Sequence, residues 1–134
     1  MGTRYLLDTN AAIYLIKGSV PIVNPTVIAE ASKEAPQLSV ISKIGLLRWN
    51  APTEAEAQKC QVFVGDSRIY QLSDEVAERT IWIRKLPHKP KLPDCIIAAT
   101  AIVHDMVLLS RNESDFSKIP GLRLINPFAT VKTS

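Results

Sequence analysis

Asp94-Cys95-Ile96-Ile97-Ala98-Ala99-Thr100-Ala101-Ile102-Val103, followed closely by Met106-Val107-Leu108-Leu109-Ser110, is the stretch that decides the fold class. Its first ten residues have almost no polar face, and a helix that is apolar all round is buried on most sides. The alanines permit close approach to neighbouring backbones. The apolar run that follows lacks strict alternation, the pattern of a strand covered on both faces. A buried helix leading into a buried strand predicts a parallel sheet wrapped by helices.

The same alternation extends outward in both directions. Upstream, Pro87, Pro90 and Pro93 exclude regular structure over about 86–92. Before them Ser73-Asp74-Glu75 opens a helix that closes on Arg84-Lys85, acids first and bases last, as the macrodipole favours. Residues 68–72 read as a strand. Thr53 and Glu56 form a capping box for a helix reaching about Val64. Residues 37–42 read as a strand running into a helix over 43–49, and a further helix spans about 25–34. At the start, Arg4-Tyr5-Leu6-Leu7-Asp8-Thr9-Asn10 predicts strand, tight turn and helix, with Thr9 or Asn10 as the N-cap. Downstream, a helical turn near 114–119 and a strand at 122–125 complete an α/β pattern of about five strands. The tail from about Phe128 is expected to be loose. No repeat or linker interrupts residues 1–134, so one domain is expected.

Composition narrows the class. The chain has 134 residues, 46% hydrophobic and 22% charged, with a mean hydropathy of +0.07. That is the balance of a packed domain and argues against disorder. No apolar stretch approaches the ~20 residues of a bilayer span. The N-terminal apolar run is short and ends on Asp8, unlike a signal peptide. No membrane association and a cytoplasmic location are therefore expected. Cys60 and Cys95, with no C-x-x-C, fit buried thiols in a reducing compartment. Sixteen Lys+Arg against thirteen Asp+Glu give +3, which permits a nucleic-acid partner without requiring one.

In a parallel sheet, ligands bind outside the carboxyl ends of the strands. Asp8 ends the first strand. Ser110-Arg111-Asn112-Glu113-Ser114-Asp115 follows the fourth. Asp94 opens the buried helix and, taken alone, reads as a plain helix-end acid. Three acids at one sheet edge repel one another and need a cation or raised pKa values to coexist. An oxygen-rich set suits Mg²⁺ or Mn²⁺. Such a cation can ionise a water for attack on a phosphodiester. Zinc is poorly served, because His88 and His104 belong to no metal spacing. There is no G-x-S-x-G, Walker loop or G-x-G-x-x-G.

Leu6-Leu7-Asp8-Thr9-Asn10 resembles the opening motif of PIN domains. Leu92-Pro93-Asp94-Cys95-Ile96-Ile97-Ala98-Ala99-Thr100-Ala101 resembles their central motif. Leu108-Leu109-Ser110-Arg111-Asn112-Glu113-Ser114-Asp115-Phe116 resembles the closing one, and Ser39-Val40-Ile41-Ser42-Lys43-Ile44-Gly45-Leu46-Leu47 falls where the second belongs. The four occur in family order over essentially the whole chain, and the closest subgroup is the VapC-like toxins of bacterial toxin–antitoxin pairs. The resemblance implies a three-layer α/β/α fold with a central parallel sheet. It implies Mg²⁺- or Mn²⁺-dependent endoribonuclease activity leaving 5′-phosphates, homodimers, and inhibition by a cognate antitoxin. By position it implies that Asp8 and Asp94 are catalytic metal ligands. Asp115, or Asn112 beside it, completes the set, with Asn10 and Ser110 as supporting polar residues.

One position departs from the pattern. The family places a glutamate where this chain has Gly45, which offers no metal ligand and costs a helix about 1 kcal/mol relative to alanine. Three readings follow: an impaired variant, a site that works on three acids, or compensation by another acid, of which Glu113 is nearest. A catalytically degenerate module that grips RNA or a protein is the rival function. A nuclease acting on structured DNA is a third possibility.

No acid occurs from Arg79 to Pro93, and a proline-stiffened basic run leads into Asp94. Arg84, Lys85, Lys89 and Lys91 are candidate RNA-backbone contacts, the alternative being a solvated charge run. Trp49 and Trp82 read as packing residues first and base-stacking ones second. The apolar helical stretches 13–16 and 44–49 are candidates for a dimer surface.

Overall fold

Short apolar runs bounded by acids, serines and prolines have room for strands of only three residues. The computed structural model describes residues 2–129. In chain order it contains β1 (Tyr5–Leu7), α1 (Thr9–Lys17), α2 (Pro25–Ala31), β2 (Gln37–Ser39), α3 (Val40–Arg48), α4 (Glu54–Asp66) and β3 (Arg68–Tyr70). Then follow α5 (Asp74–Arg84), α6 (Leu92–Val103), β4 (Val107–Leu109), α7 (Glu113–Phe116) and β5 (Arg123–Ile125). The strands form one five-stranded sheet in the order β3-β2-β1-β4-β5, with every pairing parallel.

The period-two alternation of a strand sorts its side chains onto two faces. Leu6 and Leu108 pack on one side with Val76, Ile83, Ile97 and Phe116. Tyr5, Leu7, Val107 and Leu109 pack on the other with Ala11, Ala12, Cys60 and Val64. Helices α5, α6 and α7 therefore cover one face, and α1, α2 and α4 the other. The expected three-layer α/β/α architecture is present. Cys95 to Ala101 is buried without a break, as the apolar circumference of that helix predicts. Both cysteines are free and buried. No helix among the described residues is long and apolar enough to cross a membrane.

Several boundaries differ from the expectation, each for a local reason. Ser39 caps α3 by accepting the Ser42 N–H at 3.3 Å, so residues 40–42 are helix and not strand. Helix α2 stops at Ala31 instead of near residue 34, where the Ser32 hydroxyl turns back to the Ile28 carbonyl at 2.7 Å. Helix α4 runs past Val64 to Asp66. Its capping box is only half made: Thr53 accepts the Glu56 N–H at 3.1 Å, while Glu56 Oε2 is buried without a partner.

The segment at Phe128 is not loose. Phe128 is buried, bridges to Ile22 and meets Tyr14 edge-on at 5.3 Å. The Ala129 N–H reaches the Pro21 carbonyl at 2.9 Å. An aromatic residue near a chain end can still fill a core gap, and here it closes the second core beside α1. The remainder of the expected loose tail lies outside the described residues.

Candidate active site

With β1 between β2 and β4, the direction of winding reverses at the β1–β4 pair. The crevice outside the carboxyl ends of those two strands is where a doubly wound sheet takes a ligand. Asp8 leaves β1 there and Ser110 leaves β4. The Ser110 hydroxyl donates to Asp8 Oδ2 at 2.5 Å. The other carboxylate oxygen accepts the Ala11 N–H at 2.7 Å. Asp8 itself is thus the N-cap of α1, in place of the expected Thr9 or Asn10. A carboxylate one position before the turn reaches the free N–H groups, leaving Thr9 free to pack sideways and Asn10 exposed.

Asp8 is only 5% exposed. Burial, with a smaller push from the charge of Asp94, raises its carboxyl to about 6 against the pull of the Ser110 and Ala11 bonds. Asp94 lies in the first turn of α6, but Lys91 occupies the N-cap position and no side-chain bond caps that helix. Asp94 therefore makes no capping bond, and of the plain helix-end reading only the favourable placement of an acid in the first turn remains. Its carboxyl is raised by burial and by the charge of Asp115, with Lys91 opposing.

Asp115 sits on α7, where its Oδ2 accepts from Asn112 Nδ2 at 2.9 Å. The Asn112 N–H in turn donates to Ser110 Oγ at 2.9 Å. Asp8, Ser110, Asn112 and Asp115 form one continuous hydrogen-bonded chain across the end of the sheet. The structure thus brings together five predicted residues, counting Asp94 through its charge coupling to both other acids.

The donor set fits a hard divalent cation in chemistry, being carboxylate, hydroxyl and amide oxygen. Among the described residues, no three His, Cys, Asp or Glu side chains converge closely enough to ligate one ion directly. Mg²⁺ is commonly held by one or two carboxylates with several waters retained, so the open spacing is compatible with it. Mutual repulsion among metal-free acids also favours separation.

Gly45 lies on α3 against the start of α1. A Cβ built there would stand 2.8 Å from Thr9 Cγ2 and 3.4 Å from Thr9 Oγ1. The Thr9 hydroxyl donates to Ser42 Oγ at 3.1 Å. The methyl of Thr9 thus occupies the space a side chain at residue 45 would enter. A side chain at residue 45 therefore requires Thr9 to shift, a packing cost that stands beside the expected propensity loss of glycine in the helix. The compensation idea gains no support. Glu113 Oε2 accepts from Asn126 at 3.2 Å, and Glu113 is not among the charges that raise Asp8 or Asp94.

The basic run divides by role. Lys85, Lys89 and Lys91 are exposed. Arg84 instead donates to the Pro90 carbonyl at 2.7 Å, which Cys95 Sγ also reaches at 3.2 Å. That carbonyl is a hinge pin for the loop between α5 and α6. A hydrogen bond from a charged donor contributes about 1.5–3 kcal/mol, and partial exposure places this one at the lower end. Arg84→Ala should therefore lower the free energy of unfolding by about 1.5 kcal/mol and speed amide exchange over 86–91. Unchanged exchange there would contradict the clamp.

Trp49 packs partly buried against the second core. Trp82 is 42% exposed, with the Arg79 guanidinium 5.0 Å from its ring. His104 precedes β4, at the end of the strand opposite Ser110, and its ring meets that of Tyr70 at a 54° tilt with centroids 4.6 Å apart. Lys118, which no motif surrounds, is carried by the tertiary fold to the basic loop, where it lines a cavity with Pro87, His88 and Lys89.

No family model and no curated protein sequence matches the chain. Solved structures do. One, described as a toxin–antitoxin complex from Klebsiella pneumoniae, is 31% identical over 95% of this chain and 99% of its own, with a TM-score of 0.74. VapBC2 from Rickettsia felis, bound to a promoter DNA fragment, is 22% identical over 92% and 98%, also at 0.74. VapBC bound to DNA from Salmonella typhimurium is 24% identical over 92% and 98%, at 0.70. The identity and near-complete mutual coverage of the first, with the shared fold of the others, carry one conclusion: the chain belongs to the VapC-like PIN-domain family of toxin–antitoxin systems.

Proposed function

We propose that this chain is a divalent-metal-dependent endoribonuclease, the toxin partner of a cognate antitoxin. The observation that carries the reading is Asp8: a buried, ionisable carboxyl held by Ser110 and Ala11 at the switch point of the sheet, within the field of Asp94. Perturbed carboxyls cluster at functional sites, and a buried one beside a second acid at a sheet's ligand-binding edge is a candidate for such a role.

The residues divide the work. Asp8 and Asp94 would hold Mg²⁺ or Mn²⁺, with Asp115 completing the set. When bound, the cation neutralises phosphate charge and lowers the pKa of a bound water. Ser110 fixes the orientation of Asp8, and Asn112 fixes that of Asp115. Asn10, exposed in the first turn of α1, supplies a polar side chain at the edge of the crevice. Lys85, Lys89 and Lys91 would lie along the RNA backbone, and Lys91 also moderates the charge of Asp94. The antitoxin partner rests on likeness to solved toxin–antitoxin complexes. A homodimer would cover exposed apolar side chains such as Ile44 and Leu47 on α3. Of the two candidate stretches, residues 13–16 are already partly buried in the second core.

Gly45 favours a second reading, a degenerate module that grips RNA or protein without cutting. Titration with Mn²⁺ followed by its paramagnetic resonance separates them. The enzyme reading predicts one saturable site that Asp94→Asn weakens at least tenfold. Equal binding by wild type and variant would refute it.

A further inference from the structure

Beside the acids the site continues past Asp115 and Lys89 to a residue that the nuclease reading does not use, Lys118. The α5–α6 loop and the residues around α7 form an open cavity of about 390 Å³ lined by Pro87, His88, Lys89, Ser114, Asp115 and Lys118. Its volume lies within the range of small-ligand sites, roughly 300–1,000 Å³.

Two features define its chemistry. Lys89 comes from the α5–α6 loop and Lys118 from the segment after α7, and neither is ion-paired with a carboxylate among the described residues, whose one such pair is Arg123–Asp105. With Asp115 on the wall, the lysines leave a net positive lining, and the His88 imidazole and Ser114 hydroxyl offer further hydrogen-bonding groups. The loop wall is also stiff. Pro87 and Pro90 restrict its backbone, and Arg84 and Cys95 pin the Pro90 carbonyl.

Position supplies the rest. Asp115 belongs both to the cavity wall and to the chain that runs through Asn112 and Ser110 to Asp8. A polyanion laid across the acids would therefore continue into this cavity past Asp115. We propose that the cavity is a phosphate subsite for RNA, in which Lys118 and Lys89 clamp a phosphodiester neighbouring the one at the acids. This rests on the nuclease reading for its direction along the strand, and on the cavity alone for its ligand.

The test uses the full chain in chelator, so that no cleavage occurs, and a fluorescent single-stranded RNA. Affinity is measured across a salt series for wild type, Lys118→Glu, Lys118→Gln and the control Lys59→Glu on α4. Lys118→Glu should weaken binding about tenfold and reduce the slope of log affinity against log salt by about 0.7 for each phosphate no longer neutralised. Lys118→Gln should lose less, and Lys59→Glu little. Equal behaviour of Lys118→Glu and Lys59→Glu overturns the subsite, as does absence of RNA binding by wild type. Cleavage is scored separately with Mn²⁺. If Lys118→Glu loses affinity but wild type never cuts, the subsite stands and the nuclease reading falls. If wild type cuts and Lys118→Glu binds like the control, the reverse holds.

Discussion

Asp8→Asn should make the metal-free protein more stable at neutral pH while abolishing its response to Mn²⁺. Burial holds the folded-state carboxyl at about 6, above its ordinary 3.8. The folded chain therefore binds the proton more tightly than the unfolded chain does. Stability is greatest below pH 4 with respect to this group, and it falls as the pH rises through about 6. At about 1.36 kcal/mol per unit of pKa, that change corresponds to about 3 kcal/mol. Asparagine mimics the protonated form, still accepts from Ala11 and remains a good N-cap. In chelator, denaturant unfolding at pH 7 should show a gain approaching about 3 kcal/mol and a flattened profile between pH 4 and 6. Added Mn²⁺ stabilises wild type by mass action and leaves the variant unmoved. A variant destabilised at pH 7 would mean that Asp8 serves the fold more than the site.

Restoring the acid at residue 45 should depend on Thr9. In Gly45→Glu the new Cβ meets Thr9 Cγ2 at 2.8 Å. Threonine must then rotate and give up its bond to Ser42. Removing only the methyl, as in Thr9→Ser, opens that space and retains the hydroxyl. Residues that touch couple by roughly 0.5–3 kcal/mol in double-mutant cycles. The pair Gly45→Glu with Thr9→Ser should therefore be more stable than its single variants predict, by about 1 kcal/mol. Its Mn²⁺ affinity should exceed wild type by about tenfold or more, on the scale of lost metal partners. Additive stabilities would remove the steric account. Equal cleavage by the glycine and glutamate forms would end the idea that Gly45 impairs the site.

Local pattern carries the helices and strands well, because the apolar circumference of 94–103 and the proline run before it leave few alternatives. Strand order is not legible. Which strands neighbour β1 is decided by crossovers between residues a hundred positions apart, as in the Asp8–Ser110 bond. Helix starts are legible where a serine or threonine stands alone, at Thr53 and Ser73. Where three capping residues adjoin, pattern does not choose among them, and geometry alone selects Asp8 over Thr9 and Asn10. Phe128 reads as tail because nothing nearby in sequence announces its partner, Tyr14. The three acids are legible as a set from their positions at strand and helix ends. Arg84 looks like a ligand residue because a charge in a basic run gives no sign that a carbonyl six residues on will claim it. Gly45 is visible as a missing acid, and only the structure shows what fills its place.

Cutting of RNA by Asp8, Asp94 and Asp115 together with a divalent cation is tested most directly by incubating purified chain, free of antitoxin, with RNA under three conditions. These are wild type in Mn²⁺, wild type in chelator, and Asp94→Asn in Mn²⁺. Fragments with 5′-phosphate ends are expected in the first case only. Intact RNA from wild type in Mn²⁺, or equal cleavage in all three, would contradict the assignment.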